Sequence, residues 1–189
     1  MTNAFFTEFT PTATQPIPES TIEEYRDLAP PALVEIWETH GVGHYRDGLI
    51  EFIDPAEYES AFWAWFPERK PNYLPFAVTA FGDYFYYRKL SDAGDEDVCF
   101  LDLQYRECTV LDWSIVGFLH GSLCDAEFRA DFLREPLFHQ AVEIHGPLPL
   151  GHSYAFAPVL ALGGDPGDAS RLYIGDTQVY QDIVLQLGA

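Results

Sequence analysis

FAVTAFGDYFYYRKLSDAGDEDVCFLDLQYRECTVLD, residues 76–112, is the stretch that decides the fold. It contains four short runs of aromatic and β-branched residues: FAVTAFG (76–82), YFYYRKL (84–90), DVCFLDLQ (97–104) and ECTVLD (107–112). Such side chains fit the pleated, half-buried surface of a strand. The separators are short: Gly82-Asp83, the acidic turn SDAGDED and the Tyr105-Arg106 corner. Two hairpins in an antiparallel meander are the simplest joining.

Helical signals flank this meander. Upstream, Ser20 and Glu23 have capping-box spacing before IEEYRDL. Pro30-Pro31 stops that helix and starts the next, in which Leu33, Ile36 and Trp37 share a face and Gly41 is a left-handed terminator. A Gly-rich loop leads to LIEFID, which alternates as a strand, and Asp54-Pro55 opens a helix running to about Phe66. Downstream of Ser114 the pattern turns helical: IVGFLHGSL, AEFRADFL opened by Asp125, and PLFHQAVEI after the break at Pro136. YAFAPVLAL and RLYI are late strands around the turn GGDPGDAS, and Asp176 caps a last amphipathic helix, TQVYQDIVLQL. No internal repeat is present. The fold class is α+β, a mainly antiparallel sheet with helices packed on it.

At 189 residues the chain suits one domain or two small cooperating halves, and 48% hydrophobic with 16% aromatic residues supply a sizeable core. Ten Lys+Arg stand against thirty Asp+Glu, a net charge of -20, and the pI is near 4.3. A field of that sign repels DNA, RNA and anionic membranes and steers basic protein partners inward. The first twenty residues lack a basic segment followed by an apolar one, so no signal peptide is expected. No apolar run reaches membrane-spanning length. Cys99, Cys108 and Cys124 are odd in number and lack CxxC spacing, which predicts reduced, mostly buried thiols in a cytoplasmic protein.

Catalytic patterns are sparse. His40 and His44 have i, i+4 spacing, but Gly41 and Gly43 lie between them, so turn histidines are expected and no metal site. Ser122 lacks the surroundings of a nucleophile elbow, and Cys124 with His120 lacks an orienting third group. The turn at 163–168 has no lysine to bind phosphate. No catalytic residue, metal or cofactor is expected. Three carboxylate clusters remain: Glu19, Glu23, Glu24 and Asp27; Glu51, Asp54, Glu57 and Glu59; Asp92, Asp95, Glu96 and Asp97. The last spacing does not fit a calcium loop. So many carboxylates with ten basic residues to offset them imply a concerted negative surface, which is a binding feature.

LVEIWETHGVGHYRDGLIEFIDPAEYE, Leu33 to Glu59, resembles the GAD-like domain, with Trp-x-x-x-Gly-x-Gly followed by Tyr-x-x-Gly-Leu-x-x-Phe-x-x-Pro-x-x-Tyr. FAVTAFGDYFYYR, Phe76 to Arg88, resembles the sheet segment of the same family. LPLGHSYAFAPVLALGG, Leu148 to Gly164, with VYQDIVLQLG after it, is similar to the C-terminal domain found with GAD-like regions in type VI secretion immunity proteins. Residues 1–18, rich in Thr and Pro, are expected to be an extended lead-in, and the resemblance implies a GAD-like domain over 19–112 and an immunity-type domain over 113–189, packed as one unit. It implies a non-catalytic cytoplasmic protein that binds and neutralises a cognate effector, foremost a DNase, whose basic groove an acidic surface would occlude. It carries over no catalytic or effector-binding residue. Charge density and loop placement select Glu51, Asp54, Glu57, Asp92, Asp95, Glu96 and Asp97 as the candidate effector-binding residues. The alternatives are a binding module of the same fold for a non-nuclease partner, and a small hydrolase using Cys124, His120 or an acidic pair.

Overall fold

The structure, a computed structural model, describes residues 4–187. Helix α1 (Ala4–Glu8) and strand β1 (Pro11–Gln15) come first, then helices α2 (Glu19–Tyr25) and α3 (Pro31–Thr39). Strands β2 (Val42–Tyr45) and β3 (Ile50–Phe52) precede helix α4 (Pro55–Trp63). The meander follows as β4 (Tyr73–Thr79), β5 (Tyr84–Lys89), β6 (Glu96–Asp102) and β7 (Glu107–Asp112). Helices α5 (Ile115–His120), α6 (Ala126–Phe132) and α7 (Glu135–His145) lead to strands β8 (His152–Phe156) and β9 (Leu172–Asp176) and helix α8 (Thr177–Leu187). Strands β1 to β7 form one antiparallel sheet in chain order, and β8 and β9 form a separate hairpin. The fold is α+β, as the residue pattern implies.

Alternation along each strand divides the sheet's side chains between two layers of helices. On one face Phe85 lies against Phe118 of α5, Phe100 against Phe132 of α6, and Phe52 against Phe5 of α1. On the other, Tyr84 and Tyr86 meet Phe62 of α4, and the Tyr84 hydroxyl donates to Gln181 Oε1 of α8 at 2.7 Å. The backbone N–H of Tyr154 in β8 donates to Ala80 O at the end of β4. A single apolar cluster therefore runs from Phe5 to Val184, so residues before and after position 112 share one core.

Several local expectations need correction. Residues 11–15 of the lead-in are extended, but as an edge strand paired with β2, and residues 4–8 are helical. The reason is apolar: Phe5 and Phe9, one helical turn apart, stack with centroids 5.5 Å apart and are 1% and 0% exposed. Residues 1–3 of that lead-in, and Gly188 and Ala189 of the C-terminal segment, lie outside the described residues. The Gly-rich loop before β3 contains β2. Here Gly41 and Gly43 have positive φ, and a Cβ at either would lie 2.1 Å from Gln15 O or 2.3 Å from Ala13 O. Only glycine lets β1 come so close. Helix α2 starts one residue before Ser20, after Pro18, with no side-chain cap. Helix α4 ends as an α-helix at Trp63, and the YAFAPVLAL strand stops at Phe156. Cys99 is buried, Cys124 half-buried and Cys108 exposed.

Candidate functional site

Two of the carboxylate clusters fall into different surroundings. Glu51 lies on β3 beside His44 of β2, its register partner. Its carboxylate accepts from the Gly151 N–H at 3.0 and 3.2 Å and lies 3.5 Å from His44 Nε2. Asp54 is the N-cap of α4: Oδ1 accepts from Ala56 N–H at 2.9 Å and Oδ2 from the Thr21 hydroxyl at 3.2 Å. Glu57, in the first turn of α4, is exposed. The fold adds a fourth carboxylate, Asp176, whose Oδ1 accepts from Val179 N–H at the start of α8. Together they line a cleft of about 210 Å³ with Gln15, Tyr58, Gly151 and Gln178. No lysine or arginine lines it. Tyr58 registers the surplus charge: burial, then Glu51, Asp176 and Glu57, hold its phenol well above the usual range.

The second cluster straddles the β5–β6 turn. Asp92 and Asp95 are exposed, Asp92 next to Lys89 Nζ at 3.1 Å and Asp95 accepting from the Ser91 hydroxyl at 2.6 Å. Glu96 accepts from the Tyr87 hydroxyl at 3.0 Å and from Ile115 N–H at 2.9 Å, tying β6 to α5. Asp97 is fully buried and takes both prongs of Arg88, Nε at 2.7 Å and Nη2 at 2.5 Å. Arg88 also lies over the Tyr73 ring.

The seven candidate residues thus divide by surroundings. Asp54 and Asp97 are buried in helix capping and ion pairing, Glu51 and Glu96 hold backbone N–H groups, and Glu57, Asp92 and Asp95 project into solvent. Charge density in sequence does not separate these roles, because burial depends on register. Asp176 escapes a sequence search for the cleft because 119 residues separate it from Glu57; its cap position before α8 is its one local signal. Among the described residues, every Lys and Arg except Arg106 lies within 4.0 Å of a carboxylate. Arg106 instead donates to Leu185 O at the end of α8 and lies over Trp65. The protein's own cations are therefore spent, and the surplus negative charge faces outward.

The nucleophile candidates are occupied elsewhere. Cys124 Sγ donates to Leu119 O at 3.3 Å, and His120 Nδ1 accepts from Phe5 N–H at 3.5 Å. Burial pushes the Cys124 thiol up, opposite to what a thiolate nucleophile needs. His40 sits at the end of α3 as a turn histidine, whereas His44 is buried within β2. Among the described residues no group of three or more His, Cys, Asp or Glu is placed to hold a metal ion, and no helix is long and apolar enough to cross a membrane.

Comparison with known proteins agrees with this architecture. The GAD-like domain matches residues 2–94, and the C-terminal domain of the T6SS immunity protein Tdi1 matches residues 114–188. No curated protein matches the chain. Among solved structures, Atu4351 from Agrobacterium tumefaciens superposes with a TM-score of 0.76 at 18% identity, over 98% of this chain and 89% of that one. That likeness establishes the fold. With these two matches in tandem, the chain carries a GAD-like domain followed by a domain of the T6SS immunity protein Tdi1 C-terminal type.

Proposed function

We propose that the protein is a non-catalytic, cytoplasmic immunity protein that neutralises a cognate type VI effector, a nuclease, by covering its cationic substrate groove with carboxylates. The observation that carries this reading is the unspent negative charge. Nearly every basic side chain already has a carboxylate partner, while Glu57, Asp92 and Asp95 point into solvent. A nuclease must present positive charge to phosphates, so an acidic inhibitor gains association rate by steering and selectivity by charge matching. Glu51 and Asp54 would act from the cleft behind Glu57, adding field without direct contact. Glu96 and Asp97 would act by holding the β5–β6 turn in place.

The test is co-expression with each toxic type VI effector of the protein's own host, followed by titration against the toxin whose lethality it suppresses. The expected result is a nuclease bound about tenfold or more weakly at 0.5 M than at 0.05 M salt. Combined Glu57→Lys, Asp92→Lys and Asp95→Lys should slow association by about tenfold or more. Binding indifferent to both would refute acidic occlusion. Suppression of a toxin that is not a nuclease would transfer the protein to a different effector class.

A further inference from the structure

The sheet has two edges of opposite character. At one, β1 is bracketed by Pro11 and Pro16, which lack an N–H, and its register slips between Pro11 and Ala13. Such an edge resists an added strand. At the other, β7 pairs with β6 alone among the described residues. Its residues Glu107, Cys108, Thr109 and Val110 are exposed and keep a regular register against Asp102 to Cys99. The only irregularity is the unpaired Leu111 at the far end. No proline or lysine guards this edge.

Immediately beyond β7, Trp113 is 71% exposed and Val116, in the first turn of α5, is 52% exposed. Tryptophan is among the residues enriched as energetic anchors of protein interfaces. Carboxylates lie at the Trp113 end of the sheet. Glu107 marks the opposite end of β7, and Asp112 directly precedes Trp113. Glu96 reaches the start of α5, and the Asp92–Asp95 turn lies at the same end of the sheet. A second copy of the chain is a poor occupant, because edge-to-edge pairing would oppose these carboxylates and bring two bodies of net charge -20 together. A basic segment meets no such barrier.

We propose that β7 is a docking edge for the effector: an extended, lysine- or arginine-bearing segment of the toxin adds as an eighth strand along 107–110, while Trp113 fills an apolar pocket on it. Main-chain hydrogen bonds supply affinity in this mode, and side chains on alternate positions supply selectivity. Glu107 at one end of the added strand favours a basic side chain there, and Asp112, which also accepts from Ser114 N–H and the Ser122 hydroxyl, adds negative charge just beyond the other end. This inference rests on the immunity reading and specifies where that reading acts.

The test uses the toxin identified by co-expression, purified and added at saturation to the full chain. Hydrogen exchange is followed at the amides of 107–111, and alkylation by iodoacetamide at Cys108, the exposed cysteine. Strand addition should slow exchange at alternate residues, those whose N–H faces away from β6, and slow Cys108 alkylation by about tenfold or more. Trp113→Ala should weaken binding by about 30-fold or more with an unchanged melting temperature, since the side chain lies outside the core. Unaltered exchange and alkylation in a complex that still forms would overturn the docking edge and leave the immunity reading standing. A protein that suppresses no toxin would overturn both.

Discussion

Asp54 offers a sharp separation of architecture from charge. Its carboxylate caps α4 through Ala56 N–H and accepts from the Thr21 hydroxyl of α2 at a 6% exposed position. Asp54→Ala removes the cap, worth about 1 kcal/mol, and strands the buried Thr21 hydroxyl, which costs about 1–2 kcal/mol more. The total of about 2–3 kcal/mol corresponds to a fall of roughly 4–12 °C in Tm for a chain of this size. Asp54→Asn keeps an oxygen acceptor for the cap and should lose less than about 1 kcal/mol. Urea denaturation followed by far-UV circular dichroism reads both variants. Equal losses for Asn and Ala would show that the negative charge, and not the cap geometry, stabilises this corner, and the reasoning would fail. The same pair separates roles in binding: if Asp54 contributes field to the effector, Asn lowers affinity with the fold intact.

Two further outcomes follow from particular contacts. Gly43→Ala places a Cβ 2.3 Å from Ala13 O at φ +128°; it should detach β1, destabilise the protein by about 2 kcal/mol or more, and raise hydrogen exchange across 11–15. Asp83 is fully buried, and burial, followed by the nearby Asp102 charge, pushes its carboxyl up to about 7, against the opposing pull of Arg134, Leu103 N–H and Thr79. A folded-state value above the unfolded one of about 3.9 means that folding favours the protonated acid, so this contribution is full below about pH 4 and is lost as pH rises through about 7. Urea midpoints measured from pH 5 to 8 should therefore fall with pH in the wild type, and Asp83→Asn should remove that part of the slope. Parallel slopes would refute the assignment.

The central meander is legible in sequence because each run of aromatic residues is one strand long and each separator fits a tight turn. Helix starts at Asp54-Pro55 and Asp125 are equally local, since capping involves neighbours: Asp125 accepts from Phe128 N–H just as the spacing requires. The outer strands are not legible. Thr, Ala and Gln in β1 carry no apolar alternation, and its strand state depends on Gly41 and Gly43 permitting backbone approach from thirty residues away. The acidic clusters are visible as composition, yet only register shows that Asp97 faces Arg88 across β5 and β6. Trp113 reads in sequence like any core aromatic, and its exposure follows from β7 being the last strand of the sheet.

Strand order that follows chain order has a consequence for synthesis. Each strand from β2 to β7 finds its neighbour already made when it leaves the ribosome, so the sheet grows in chain order, and its two longer connections, β1 to β2 and β3 to β4, are occupied by helices α2, α3 and α4. The contacts that must wait are those of α8, whose Gln181 donates to Gly82 O at 2.8 Å and accepts from Tyr84 across a separation of about a hundred residues. A nascent chain therefore carries a nearly assembled sheet with the Tyr84 hydroxyl and Gly82 carbonyl unsatisfied until α8 emerges. Helix α8 sets the moment at which this fold becomes native, and chains released from the ribosome without residues 177–187 should remain protease-sensitive around β4 and β5 while chains that include them resist.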